Sequence, residues 1–264
     1  MNEMGFMDVE FASDEEELTE LLCKRDQLYR EAQSILTSNT KVFGDLITEV
    51  FELKLECIKK KKMISFCQAK INRGQYVDVN EMNEAIDKDM QMYYFELKKM
   101  TLKNKEAKES KGHSEFEIGM AKKIYRRLAK KLHPDVNAMT QKNPKLSELW
   151  NKIAEAYQKI DLEELENLEV VAKKLLEELG EQGFELQTKN LKKRIERIRD
   201  QINAILTTEP YILIDILQDE EKTAEKKKAL EEEREEYKRY LAELTEQLEK
   251  LLGGGGINIL WTMN

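Results

Sequence analysis

The chain has 264 residues, 36% of them charged and 7% aromatic, with only three prolines, a balance that favours long helices over a thick globular core. Its formal charge of −8 argues against a generally cationic nucleic-acid binder, so any basic function must be local. No apolar run approaches the roughly 20 residues of a membrane span. The acidic start MNEMGFMDVEFASDEEE also lacks the basic and apolar regions of a signal peptide. Cys23, Cys57 and Cys67 have neither CxxC nor metal-like spacing, so reduced thiols, no cofactor and a cytoplasmic location are expected.

Residues 1–12 read as a flexible N-terminus. Ser13 then suits a helix cap, and the acidic run 14–17 suits the positive end of the helix dipole. Leu18, Leu21, Leu22, Leu28, Ala32 and Ile35 recur at spacings of three and four, which places them on one face. The polar stretch at residues 37–40 is expected to break this helix. A second helix is expected over 41–72, about 48 Å long at 1.5 Å per residue, with Gly74 just past its end. A third starts near Asp78 or Asn80 and runs to about Ser110. Short connectors between amphipathic helices give antiparallel neighbours, so residues 13–110 are predicted to form an antiparallel helical coiled coil.

Ser114 and Glu117 have the spacing of a capping box. In the helix they open, Lys122, Lys123, Arg126, Arg127, Lys130 and Lys131 fill about half of the helical wheel. Ala121, Ile124, Tyr125, Leu128, Ala129 and Leu132 fill the other half. No acidic residue interrupts residues 119–134, and an unmixed basic half-cylinder repels itself unless an anion faces it. His133 ends the helix because the following proline disfavours helical geometry there, and Asp135 is expected on an exposed loop. Asn143 and Pro144 announce the next helix. It carries Leu146, Leu149, Trp150, Ile153, Ala156, Tyr157 and Ile160 on one face. DLEELENLEVVAKKLL continues as a further helix. Read without context, His133-Pro134-Asp135 simply stops a helix.

Beyond residue 180, Leu191, Ile195, Ile198, Ile202 and Ile205 alternate spacings of four and three, as do Leu230, Arg234, Tyr237, Leu241, Leu244, Leu248 and Leu251. A 3.5-residue repeat held this long predicts coiled-coil seams, so residues 181–252 are expected to form a coiled-coil hairpin with a short apolar helix near its tip. Residues 253–264 read as a Gly-rich flexible tail.

KIYRRLAKKLHPDVN, followed by LWNKIAEAYQKI, resembles helices II and III of the J-domain, the module of DnaJ-type co-chaperones. The resemblance covers roughly residues 116–160 and joins a Tyr-basic-basic-Leu-Ala helix, an HPD loop and an aromatic–x–x–Ile–x–x–Ala–Tyr helix. With the periodicities on either side, the fold expected is all-α, antiparallel helical coiled-coil rods flanking a small J-domain-like helical hairpin. Within a J-like region at 111–180, helix II would occupy 115–132, the HPD loop 133–143, helix III 144–160 and a following helix 162–179. The resemblance implies a non-enzymatic co-chaperone that recruits a DnaK-type seventy-kilodalton chaperone and stimulates its ATP hydrolysis. Asp135 would pair with a partner arginine, and His133 and Pro134 would fix the loop. Arg126, Arg127 and Lys130 would hold helix II against an acidic surface, within a basic face that also includes Lys122, Lys123 and Lys131. Tyr125 would serve both core and contact, whereas Trp150, Ile153 and Tyr157 would be core.

The departures are specific. The family's helix I signature is missing, its nearest echo being YYFEL at 93–97, so the long third helix is expected to substitute for it. Val136 stands where the family usually has a base. Gly/Phe-rich and cysteine-rich zinc regions are lacking. The coiled coils would bind a client, so far undefined, or mediate homo-oligomer assembly. A coiled-coil scaffold with a degenerate J-like module remains an alternative. Nucleic-acid binding through residues 122–131, aided by 59–62, is the least favoured.

Overall fold

The computed structural model describes residues 13–253. The flexible segment expected at 1–12 lies outside those residues, as does the tail expected at 253–264 except for Gly253, which closes the last helix. Among the described residues the protein is all-α, as expected, and its only sheet-like feature is a single antiparallel bridge between Asn137 and Leu186.

Helix α1 runs unbroken over Asp14–Asn72, about 90 Å at 1.5 Å per residue. This corrects the break expected at residues 37–40. Thr, Ser and Asn are weak helix formers but not breakers. The Thr40 hydroxyl bonds back to the Leu36 carbonyl at 2.8 Å, and Phe43 just beyond is fully buried. Gly74 adopts φ +63 and ends the helix, and the Asp78 carboxylate accepts the amides of Asn80 and Glu81 to open α2, Val79–Glu109. Then follow α3 (Glu115–Leu132), α4 (Ala138–Lys142), α5 (Pro144–Lys159), α6 (Leu162–Leu179), α7 (Leu191–Thr207), the short α8 (Ile214–Leu217) and α9 (Glu220–Gly253).

These helices sort into two compact units, and the division falls inside α1, between Ile35 and Leu36. The stretch expected as one coiled coil at 13–110 is therefore divided. The unit comprising Leu36–Ser110 and the chain from Leu213 onward packs α2 antiparallel to the second part of α1. Lys70–Glu81, Lys62–Asp89 and Lys108–Asp45 pairs mark the register, at 2.7–2.8 Å. Gly44 lets the two helices approach, since a Cβ there would overlap the Asn104 amide, whose nitrogen donates to Thr48 Oγ1 at 2.8 Å. Helix α9 lies parallel to α1, with Arg234 on Glu49 at 3.1 Å and Lys226 over the Phe43 ring. Leu244 and Leu248 complete a core with Leu55, Cys67, Met82 and Met90.

The hairpin expected over 181–252 is consequently not closed on itself. Helix α7 belongs to the other unit and buries Ile195, Ile198 and Ile202 against Leu18, Leu21, Leu22 and Leu28 of α1. Of the two expected seams, Ile195, Ile198 and Ile202 of α7 and Leu244 and Leu248 of α9 are buried, and each set packs on α1. The same unit contains Lys111–Ile212, whose helices α3, α5 and α6 enclose one apolar cluster drawn entirely from their own faces and Ile160.

Candidate functional site

Local chemistry fixes where α3 begins and ends. The Glu117 carboxylate accepts the Ser114 amide at 2.7 Å while Ser114 Oγ accepts the Glu117 amide at 3.2 Å, the reciprocal capping box. At the far end His133 takes an extended conformation, and its N–H reaches the Ala129 carbonyl at 3.0 Å. Pro134 cannot donate, and the turn closes with the amides of Val136 and Asn137 both on the His133 carbonyl at 2.8 Å. Asn143 caps α5 through the Lys145 amide, with Pro144 at the first helical position.

The His133 ring is 4% exposed and lies edge-on to Trp150 at 4.9 Å. Its Nδ1 accepts the Asp135 amide at 3.0 Å, which places the proton of the neutral ring on Nε2, 3.7 Å from Asp26 Oδ2. Burial drives the His133 pKa down to about 4, outweighing the opposite pull of Asp26 and Asp135. The imidazole is thus a neutral strut inside the loop. Tyr125 is 3% exposed, stacks on Tyr157 at 4.0 Å and donates its hydroxyl to Asp26 Oδ2 at 2.7 Å. Burial and the Asp26 carboxylate push its pKa upward, so the phenol remains a donor. Both side chains are buried here, so Tyr125 serves the core in this arrangement.

Asp135 and Pro134 are half-buried rather than fully exposed at the tip. The Asp135 carbonyl accepts from the Arg194 guanidinium of α7, which also donates to the Gln187 carbonyl at 2.8 Å. Val136 is buried among Leu18, Leu21, Leu22 and the α7 isoleucines, which explains why an apolar residue occupies a position where a base was expected. The loop is fastened beneath by Asn137, which is 0% exposed. Its Nδ2 donates to the carbonyls of Lys131 and Gly183 at 2.9 and 2.8 Å, and its Oδ1 accepts from the amides of Met139 and Glu185 at 2.9 and 3.0 Å. Two further main-chain bonds, Ala138 to Glu185 and Gln187 to Val136, strap residues 185–187 across it.

The six basic side chains of α3 are all exposed. Arg127 holds Glu169 of α6 with two bonds of 2.7 Å, and Arg126 pairs with Glu20 of α1. Lys122, Lys123, Lys130 and Lys131 form no ion pair among the described residues, so four free cations line the face. Between α3 and α6 lies a groove of about 390 Å³ whose floor includes Leu128, Leu132, Ala172 and Leu176 and whose rim includes Lys131 and Lys173.

The helix expected to stand in for helix I is not α2, which lies in the other unit. The hairpin instead packs on α6 and meets residues 14–35 of α1. Asp26, Glu20 and Arg194 carried no local sequence signal, because each acts on a residue 59 to 106 positions away in the chain. Asn137 is the last residue of the quoted KIYRRLAKKLHPDVN, and a buried Asn two residues past HPD was there to be considered.

A capped two-helix hairpin that presents a basic face and a strapped His-Pro-Asp turn defines a J-type module. Residues 110–165 match the family model described as the DnaJ domain, so this segment of the chain is a DnaJ domain. No curated protein and no solved structure matched the chain. No helix among the described residues is long and apolar enough to cross a membrane.

Proposed function

We propose that this protein is a co-chaperone that recruits a DnaK-type chaperone through α3 and the His133-Pro134-Asp135 turn and stimulates its ATP hydrolysis. The observation that carries the reading is the union of four unpaired lysines with the strapped turn on one hairpin. Lys122, Lys123, Lys130 and Lys131, with Arg126 and Arg127, would steer an acidic surface onto the helix. Asp135 would supply the anion at the turn, while His133 and Pro134 hold its shape. Stimulation would arise from contacts favouring the partner's hydrolysis-competent state. On this reading the protein is not itself an enzyme, and its other unit binds a client or mediates assembly. Its three free thiols support a reducing, cytoplasmic setting.

Losing one member of a desolvated charge pair costs about 2–5 kcal/mol at an interface. Asp135→Asn is therefore expected to abolish stimulation in a single-turnover ATPase assay while leaving the far-ultraviolet spectrum unchanged. Equal stimulation by wild type and variant would remove the mechanism. The burial of Tyr125 and His133 favours a second reading, a scaffold whose module no longer activates a partner. That reading requires no stimulation from wild type at saturating protein.

A further inference from the structure

Two apolar clusters meet at the hairpin without merging. The buried residues of one come from α3, α5 and α6 with Ile160. The other is built by residues 18–28 of α1 with α7, and it takes only Val136 from the HPD turn. Cys23 is the one α1 side chain packed against the first cluster. Apart from Val136 and Cys23, what joins the two is polar: Asp26 to Tyr125 and toward His133, Glu20 to Arg126, and Arg194 to the Asp135 carbonyl. Arg25 clamps Asp26 with bonds of 2.9 and 2.7 Å, orienting its carboxylate. Surfaces that separate in water have this composition, because charged groups regain hydration when exposed and apolar faces do not.

The same helix contains the means of letting go. Residues 37–40, Thr-Ser-Asn-Thr, form the weakest helical stretch of α1, and the division between units falls just before them. The Thr40 hydroxyl competes for the Leu36 carbonyl, a back-bond that favours bending.

We propose that residues 14–35 of α1, clasped to α7, form a displaceable cover over the face made by Tyr125 and His133, and that an occupant replacing them must present carboxylates where Glu20 and Asp26 now sit. The proposal rests on the co-chaperone reading only for the identity of that occupant. Charge complementarity selects it: α3 offers Arg126 and the Tyr125 hydroxyl, and the cover answers with acidic groups. In the closed form Tyr125 and the HPD turn are withheld, and the free lysines give a partner its first hold.

Cys23 reports the cover, since its half-buried side chain packs against the α3–α5–α6 cluster at the contact. In the full-length protein, Asp26→Ala and, independently, Glu20→Lys should raise the rate of Cys23 alkylation by N-ethylmaleimide about tenfold or more per thiolate, as expected for losing one charge-assisted contact; the thiolate fraction is read from the pH–rate profile of each variant, because Glu20 and Asp26 also hold the thiol pKa up. Peptide mapping separates Cys23 from Cys57 and Cys67. Amide protection in α3 and α5 should stay at the wild-type level, because their core is self-contained. Under the co-chaperone reading, both variants should also reach half-maximal ATPase stimulation at a lower concentration than wild type.

Unchanged Cys23 labelling in both variants would overturn the cover. So would labelling that rises only together with exchange in α3 and α5, since that is unfolding. Faster labelling without ATPase stimulation by any form would leave the cover standing and remove the co-chaperone reading. Faster labelling with stimulation equal to wild type would show that the segment does not gate the site and would overturn the proposal.

Discussion

Asn137→Ala gives the sharpest test of how the HPD turn is held. The side chain makes four hydrogen bonds, two to carbonyls of Lys131 and Gly183 and two from amides of Met139 and Glu185, and none of it is exposed. Each bond contributes about 1 kcal/mol net, and each buried group left without a partner adds a desolvation penalty. Some of the four groups lie close enough to the surface to be rewetted, so the expected loss is about 3–5 kcal/mol. That is a large share of the roughly 5–15 kcal/mol that stabilises a domain. Asn137→Asp should do no better, since it retains the two acceptor bonds but turns an oxygen toward two carbonyls. Urea unfolding followed by Trp150 fluorescence suits the measurement, because Trp150 touches His133 and the other tryptophan, Trp261, can be changed to Phe. A loss below about 1 kcal/mol would mean that the four bonds do not hold the turn.

Stability should also depend on pH through His133. Its folded pKa is about 4 against an ordinary 6.5, so between those values the unfolded chain takes up a proton that the folded chain refuses. The stabilisation is complete above pH 6.5 and falls away toward pH 4, by up to roughly 3 kcal/mol. Urea midpoints of wild type and His133→Gln should therefore converge as pH drops through that window, and parallel curves would refute the assignment. Gly44→Ala normally strengthens a helix by about 0.5–1 kcal/mol. Here the new methyl meets Asn104, so a net destabilisation of roughly 1–2 kcal/mol is expected in thermal melts.

The parts legible in the sequence were those governed by neighbouring residues. Ser114 with Glu117 and Asn143 with Pro144 mark the edges of α3 and α5 because caps act over three or four positions. Asp78 and Gly74 mark the turn into α2 for the same reason. The buried stripes of α7 and α9 were visible as periodicity, but a stripe does not name its partner, and both fold onto α1. The continuity of α1 was hidden because residues 37–40 are weak helix formers whose state is decided by packing on either side. The basic face of α3 was evident, yet its partial neutralisation by Glu20 and Glu169 depends on helices 40 to 106 residues away. Tyr125 and His133 illustrate the same limit. Their residue types announced a site, but the carboxylate that meets both, Asp26 of α1, arrives from about a hundred positions away.

Helix α1 contributes one end to each unit, and this gives the protein an interleaved connectivity. The unit holding the DnaJ domain draws on residues before Leu36 and again on Lys111–Ile212, while the other is assembled from Leu36–Ser110 and the chain after Ile212. On a ribosome, the first unit cannot close until α7 has emerged, because Leu18, Leu21, Leu22 and Val136 share their apolar cluster with Ile195, Ile198 and Ile202. The second must wait longer still, for Leu244 and Leu248 of α9. Each unit is therefore completed by contacts between distant parts of the chain, a topology associated with slow folding and prolonged exposure of apolar surface. A protein with this wiring would itself pass through a long interval as the kind of chain that chaperones hold.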